Sequence, residues 1–140
     1  SEARQLAGEH NVIKAGAAIR RMGPKTVIIK RGEYGATLFT EHGIFLAPAY
    51  PTRTVVDPTG AGDSFAGAFM GYLAEAGAHR EMAKTDPQKW DQLLRRAVLS
   101  GCVMASYTVE DFSFRRLMSL STEDLVSRQA SLLKMISITE

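Results

Sequence analysis

The sequence predicts an α/β fold carrying one β-hairpin. Three observations support this. β-Branched runs, "KTVIIK" and "RTVV", alternate with segments of helical period. Two short apolar runs, "ATLFT" and "GIFLA", flank Glu41-His42-Gly43. A third region, "VVDPTGAGDSFAGAF", reads as strand, glycine-rich turn and helix in succession.

The 140 residues suffice for one domain with a real core, and 45% hydrophobic against 23% charged content is ordinary for a soluble globular protein. A formal charge of +2, with no basic run interleaved with aromatics, argues against nucleic-acid or membrane-surface binding. No apolar stretch is long enough to span a bilayer, and no signal-peptide pattern opens the chain. One cysteine, Cys102, excludes an intrachain disulfide and a cysteine-based zinc site, and fits a cytoplasmic location.

Ser1 to Ala7 reads as a helix already under way, ending at Gly8. Asn11 is an N-cap for a second helix, in which Val12, Ala15, Ile19 and Met22 recur on one face and Gly23-Pro24 ends the run. "KTVIIK" suits a strand buried on both faces, as in a parallel sheet. "RGEYG" is a glycine-bearing loop, and the two apolar runs after it form the hairpin. "RTVV" is a short strand ending at Asp57; a helix then runs from Gly62 to about Ala76 and closes at Gly77. Ala78 to Asp86 reads as an exposed loop. Asp86-Pro87 starts a long helix with Leu94, Val98, Gly101, Cys102 and Ala105 along one face. "DFSFRRL" is a turn or short helix. Ser121 with Asp124 forms a capping box for a last amphipathic helix bearing Leu125, Leu132, Leu133 and Ile136. His10, His42 and His79 lack metal-ligand spacing and read as surface residues. Trp90, Phe65, Phe69 and Tyr72 read as core, Gly67 and Gly71 as positions where a neighbour packs closely, and Cys102 as a small buried hydrophobe.

The chemistry concentrates in "GAGD". A helix start leaves its first amides without intrahelical acceptors and carries partial positive charge. Gly60, Ala61 and Gly62 put almost no side chain in the way, so an anion such as a phosphate can approach the backbone. Asp63 beside that site would repel the bound anion. Its carboxylate makes sense as a base acting on the other reactant, a hydroxyl that attacks a phosphoryl group. Taken alone, Asp63 reads more readily as an N-cap or an ordinary first-turn acid, because such caps are common. The dinucleotide fingerprint G-x-G-x-x-G fails, because Phe65 stands where the third glycine belongs, and the phosphate loop G-x-x-x-x-G-K-[ST] is absent.

"DPTGAGDSFAGAF" resembles the second signature of the PfkB family of carbohydrate kinases, D-[TP]-x-G-A-G-D, and meets every specified position. The resemblance implies the ribokinase-like fold, a Rossmann-like three-layer α/β/α architecture, of which residues 1–140 would be the C-terminal, ATP-binding and catalytic half. It implies ATP-dependent transfer of the γ-phosphoryl to a hydroxyl of a sugar or nucleoside, with Asp63 as general base and Gly60, Ala61 and Gly62 forming the anion hole. In members that use a monovalent cation such as K⁺, the aspartate at the Asp57 position helps hold it; a turn-capping carboxylate is the other reading of Asp57. "VIIKRGEYGA" resembles part of the nucleotide site, with Lys30, Gly32 and Gly35 near the ATP. "SEARQLAG" resembles the end of the N-x-x-E motif, so Glu2 would act on Mg²⁺ through its water shell, or else is a plain first-turn acid. "LSGCVMASYTVEDFS" resembles the helix and loop walling the adenine pocket, near Ser100, Gly101 and Ala105, where helix packing is the alternative.

The resemblance runs from Ser1 to about Leu120. It lacks the N-terminal half, the lid and the first glycine signature, which supply most sugar contacts in the family. The expected partners are therefore ATP and a sugar or nucleoside, with no nucleic acid and no membrane. A homodimer remains open. A catalytically silent nucleotide-binding or regulatory module is the alternative function, and a dinucleotide-dependent oxidoreductase a third. By itself, the 140-residue chain is expected to phosphorylate little or no sugar in an ATP-consumption assay.

Overall fold

Asn11 starts a helix as its side chain dictates. In the computed structural model, which describes residues 11–52, 60–110 and 120–138, the Asn11 Oδ1 accepts from the amides of Ile13 and Lys14 at 2.9 and 3.1 Å. These are amides that a helix start leaves unpaired. Helix α1, Val12–Arg21, follows. Gly23, at φ +137°, precedes Pro24 as the chain leaves the helix. The readings of Ser1–Gly8, "RTVV" and "DFSFRRL" lie outside the described residues, as does His10.

The chain divides into two compact units, Ser1–Pro48 and Ala49–Glu140. In the first, strands β1 (Val27–Lys30), β2 (Ala36–Thr40) and β3 (Gly43–Ala47) form one antiparallel sheet in the order β1-β2-β3. Ile28 stands opposite Leu38, and Leu38 opposite Phe45. This corrects the expectation for β1. Its neighbour among the described residues is antiparallel, and it alternates buried Val27 and Ile29 with half-buried Ile28 and exposed Lys30. The wholly buried strand is β2. An apolar run reports burial, whereas the connection sets the neighbour's direction. Five residues, Arg31–Gly35, join β1 to β2, and a parallel neighbour needs a crossover of a dozen or more.

The hairpin forms where expected. Glu41 and His42 make the turn, the His42 amide donates to Thr40 Oγ1 at 3.1 Å, and Gly43 takes φ +134°. Ala15, Val27, Ile29 and Phe39 form the core of this unit, with Val12 and Ile19 packed against it. Helix α1 lies close on the sheet because Gly16 has no side chain: a Cβ there would run into the Phe39 ring.

The second unit is helical among its described residues. Helix α2, Ala61–Glu75, ends at Gly77, whose φ of +68° suits glycine, and the Ala78 amide donates back to the Leu73 carbonyl at 2.9 Å. The expected loop at Ala78–Asp86 contains a four-residue helix, α3, Met82–Thr85. Met82 and Ala83 are its half-buried residues. Helix α4, Pro87–Glu110, starts with the Lys89 amide on Asp86 Oδ1 at 3.2 Å. Leu94, Ala97, Val98, Leu99, Cys102 and Val103 make it the most buried helix of the unit. Asp91, buried on α4, pairs with Arg95 one turn later at 2.8 Å.

Helix α5, Thr122–Ile136, has the expected capping box, with Asp124 N on Ser121 Oγ at 3.1 Å and Ser121 N on Asp124 Oδ2 at 3.0 Å. Leu132 is its buried residue; Leu125 and Leu133 are half-buried and Ile136 is exposed. Arg128 fastens α5 to the last two turns of α4. Its guanidinium lies 3.7 Å from the Tyr107 ring centroid and 4.6 Å from that of Tyr50. It also donates to Ser106 Oγ at 2.9 Å and to Glu110 at 3.1 Å, while Tyr107 Oη donates to the Asp124 carbonyl.

Among the described residues Gly67 and Gly71 have no close-packed neighbour: both are exposed, and no described atom lies within 4 Å of a Cβ built on either. Phe65 is core as expected, while Phe69, Tyr72 and Trp90 are half-buried; His42 and His79 are exposed. Among the described residues no helix is long and apolar enough to cross a membrane.

Cys102 is buried, and burial pushes its thiol up to about 12 from 9.0. The folded chain therefore keeps this proton where the unfolded chain has lost it. Stability is expected to fall as pH rises from about 9 toward 12, and Cys102→Ala to remove that component of the decline. In a thiol-reagent titration at pH 8, Cys102 should react only as fast as the protein unfolds.

Candidate functional site

The helix α2 start is built unlike those of the other long helices. Asn11, Asp86 and Ser121 each place a side-chain oxygen on first-turn amides of α1, α4 and α5. Gly60, the N-cap of α2, has no side chain to offer. It sits at φ +84°, ψ −5°, a left-handed conformation that glycine adopts without strain. Its carbonyl takes the first helical hydrogen bond, from the Ser64 amide at 3.0 Å. The amides of Ala61, Gly62 and Asp63 belong to the turn that has no intrahelical acceptors. Gly60 and Gly62 are exposed and Ala61 half-buried, so among the described residues nothing covers the backbone at this end. Asp63 is the acid of the first turn and is exposed.

An uncapped helix start with its dipole pointing outward attracts an anion. An exposed carboxylate two residues into the helix offers a proton acceptor beside it. The sequence brings these four residues together by adjacency, and the structure keeps them on one helix end.

The other candidates fall in three places. Lys30 is the exposed last residue of β1; Gly32 opens a 3₁₀ turn, Gly32–Tyr34, at φ +56°, and Gly35 closes it at φ +92°. That turn is cinched by the Arg31 amide on the Gly35 carbonyl at 2.7 Å and by the Gly35 amide on the Gly32 carbonyl at 3.1 Å. Ser100, Gly101 and Ala105 lie on α4 in the second unit, with Ser100 Oγ donating to Gln129 Oε1 at 3.4 Å. Gly101 is engaged by the protein itself: a Cβ there would meet the Phe65 ring at 2.6 Å. Glu2 and Asp57 lie outside the described residues.

Sequence reasoning did not single out Ser64 or Thr108. Thr108 Oγ1, buried on α4, donates to Ser64 Oγ at 2.7 Å, and Ser64 Oγ donates to the Gly60 carbonyl at 3.0 Å. Ser64 follows the signature directly, but its partner stands 44 residues later, at a distance that no local pattern encodes.

With this geometry in place, comparison with known proteins gives consistent results. The family model "pfkB family carbohydrate kinase" matches residues 1–115. The aminoimidazole riboside kinase of Salmonella typhimurium is 43% identical over 72 residues, 51% of this chain and 22% of that protein. The cytidine kinase of Thermococcus kodakarensis is 32% identical over 98 residues, 68% of this chain and 34% of that one. The crystal structure of Salmonella enterica aminoimidazole riboside kinase, complexed with aminoimidazole riboside and an ATP analog, superposes with a TM-score of 0.70 at 29% identity, over 91% of this chain and 39% of that one. The chain thus spans between a fifth and two fifths of the length of these relatives.

The Gly101–Phe65 contact separates packing from ligand binding. Gly101→Ala is expected to lower stability by about 1–3 kcal/mol in urea denaturation, with Phe65→Leu in the same chain recovering part of the loss. A role confined to a nucleotide pocket would instead raise the KM for ATP and leave stability unchanged.

Proposed function

The chain belongs to the pfkB family of carbohydrate kinases, with the ribokinase-like α/β fold, and on that premise we propose that it forms the ATP-binding and catalytic part of an ATP-dependent phosphotransferase. The acceptor is a hydroxyl of a sugar or nucleoside, the class to which cytidine and aminoimidazole riboside, named for the two relatives, belong. The observation that carries the reading is the uncapped, glycine-started helix α2 with Asp63 on its first turn.

In this reading the Asp63 carboxylate accepts the proton of the acceptor hydroxyl as that oxygen attacks the γ-phosphorus. The new P–O bond forms in line with the breaking bond to the β-phosphate, and ADP leaves. Negative charge spreads over the transferring phosphoryl group. The backbone amides at Gly60–Gly62, the anion hole that the family resemblance implies, would donate to that charge as it develops. The carboxylate also favours the acceptor over water by holding its hydroxyl in line.

Among the described residues no group of three or more His, Cys, Asp and Glu could hold a metal ion. Glu2 for Mg²⁺ and Asp57 for K⁺ are thus proposals from the family resemblance, and the chemistry a bound Mg²⁺ supplies is charge neutralisation on the phosphates.

In the full-length protein that carries this chain, Asp63→Asn should lower kcat by about 10²–10⁴-fold while ATP affinity stays within a few fold. An unchanged rate would remove Asp63 from this role. A screen of sugars and nucleosides with ATP and Mg²⁺ identifies the acceptor; ATP binding without phosphorylation of any of them would favour a silent nucleotide-binding module.

A further inference from the structure

Gly60 poses a mechanical problem. Its left-handed backbone is open to glycine because glycine is conformationally permissive, and the same freedom lets the turn wander. Yet the site proposed above needs the first amides aimed in one direction. The Gly60 carbonyl and the Ala61 N–H belong to one planar peptide unit and point in opposite directions. Whatever holds that carbonyl toward the helix therefore holds the Ala61 N–H outward, away from the helix and toward a ligand.

Two hydrogen bonds hold it, and a third holds the donor of one of them. The Ser64 amide donates to the Gly60 carbonyl at 3.0 Å, and so does Ser64 Oγ, also at 3.0 Å. Ser64 Oγ is in turn the acceptor for Thr108 Oγ1 at 2.7 Å. The proton order is self-consistent, since each hydroxyl donates once. Thr108 has a second acceptor within reach, the Met104 carbonyl one turn back at 3.3 Å, the local bond that helical threonines commonly make. The Ser64 oxygen is nearer by 0.6 Å, the difference of these two distances. Thr108 is only 4% exposed, so water does not compete, and its Cγ2 lies 3.9 Å from where a Gly60 Cβ would stand.

We propose that Thr108 is a positioning residue, which acts through Ser64 to fix the Gly60–Ala61 peptide plane and so aims the first amide of the anion hole. This rests on the reading of α2 as the phosphoryl-transfer site. It assigns a catalytic consequence to a residue on α4, 44 positions away from Ser64. The rest of α4's C-terminal end is built to keep Thr108 still: Ser106, Tyr107 and Glu110 on either side of it are bound by Arg128 of α5.

The test is a double-mutant cycle in the full-length protein, with active sites counted so that unfolded molecules do not enter kcat. Thr108→Val keeps the shape and removes the hydroxyl; Ser64→Ala removes its partner from a less buried position; Thr108→Ser restores the donor. Losing an oxyanion donor outright costs ~10²–10³-fold, and a misaimed one less. Thr108→Val and Ser64→Ala are each expected to lower kcat about 10-fold, with the KM for ATP within twofold. The double variant should be no worse than either single one, and Thr108→Ser should return to within threefold of the parent. If Thr108→Val and Ser64→Ala both keep kcat within twofold while Asp63→Asn abolishes turnover, the positioning role is wrong and the site assignment stands. Losses that multiply in the double variant would equally refute coupling through this bond. Full turnover in Asp63→Asn would overturn the site assignment and this inference with it.

Discussion

The close approach of Gly101 to the Phe65 ring is the contact on which the helical unit depends. Two helices carrying ordinary side chains stand apart by the thickness of those side chains. Here α4 offers no side chain at the crossing, and Phe65 occupies the vacated space; a single methyl at residue 101 would meet the ring at 2.6 Å. Phe69 stacks beside Phe65, with centroids 6.5 Å apart and planes 8° from parallel, so the apolar side of α2 is committed to this arrangement. Phe65 follows Asp63 by two residues. The contact that builds the core therefore also places the start of α2 against α4, which is what lets a threonine on one helix reach a serine on the other.

A second constraint is the way helices begin. Where Asn11, Asp86 and Ser121 stand at helix starts, the protein consumes the first-turn amides with its own oxygens and gains stability. At Gly60 it forgoes that gain. A glycine in place of a good side-chain cap costs roughly a few tenths of a kcal/mol, and a departure of this kind from the locally best choice is typical of functional positions. The Ser64–Thr108 pair supplies the rigidity that a capping side chain would otherwise have provided, from beneath the turn and not across its open end.

The sheet unit shows the opposite economy. β2 is buried along its whole length between two antiparallel neighbours, while β3 exposes Ile44 and Leu46, the latter at 65%. The hairpin was legible because two apolar runs with a short polar turn and a glycine have one low-energy solution. The direction of β1's neighbour was not, because "KTVIIK" carries the same apolar signal in either setting. The glycines at 67 and 71 meet no neighbour among the described residues, for a related reason. Their spacing is that of a packing stripe, yet the side of a helix that packs is chosen by what lies opposite, and here Phe65 and Gly101 made that choice.

By itself the sequence determined the helix starts at Asn11, Asp86-Pro87 and Ser121, the hairpin, and the glycine-started helix with Asp63 on its first turn. All of these rest on interactions within a few residues, so local chemistry decides them. Only the tertiary structure decided that Gly101 receives Phe65, that Arg128 lies between Tyr50 and Tyr107, and that Thr108 holds Ser64. Those contacts join residues tens of positions apart. Their energies depend on how two helices approach, a quantity that no short stretch of chain contains. The candidate carboxylate Asp63 was therefore readable from seven adjacent residues, while the hydrogen bonds from Ser64 and Thr108 beneath the Gly60 carbonyl came into view only when the helices were packed.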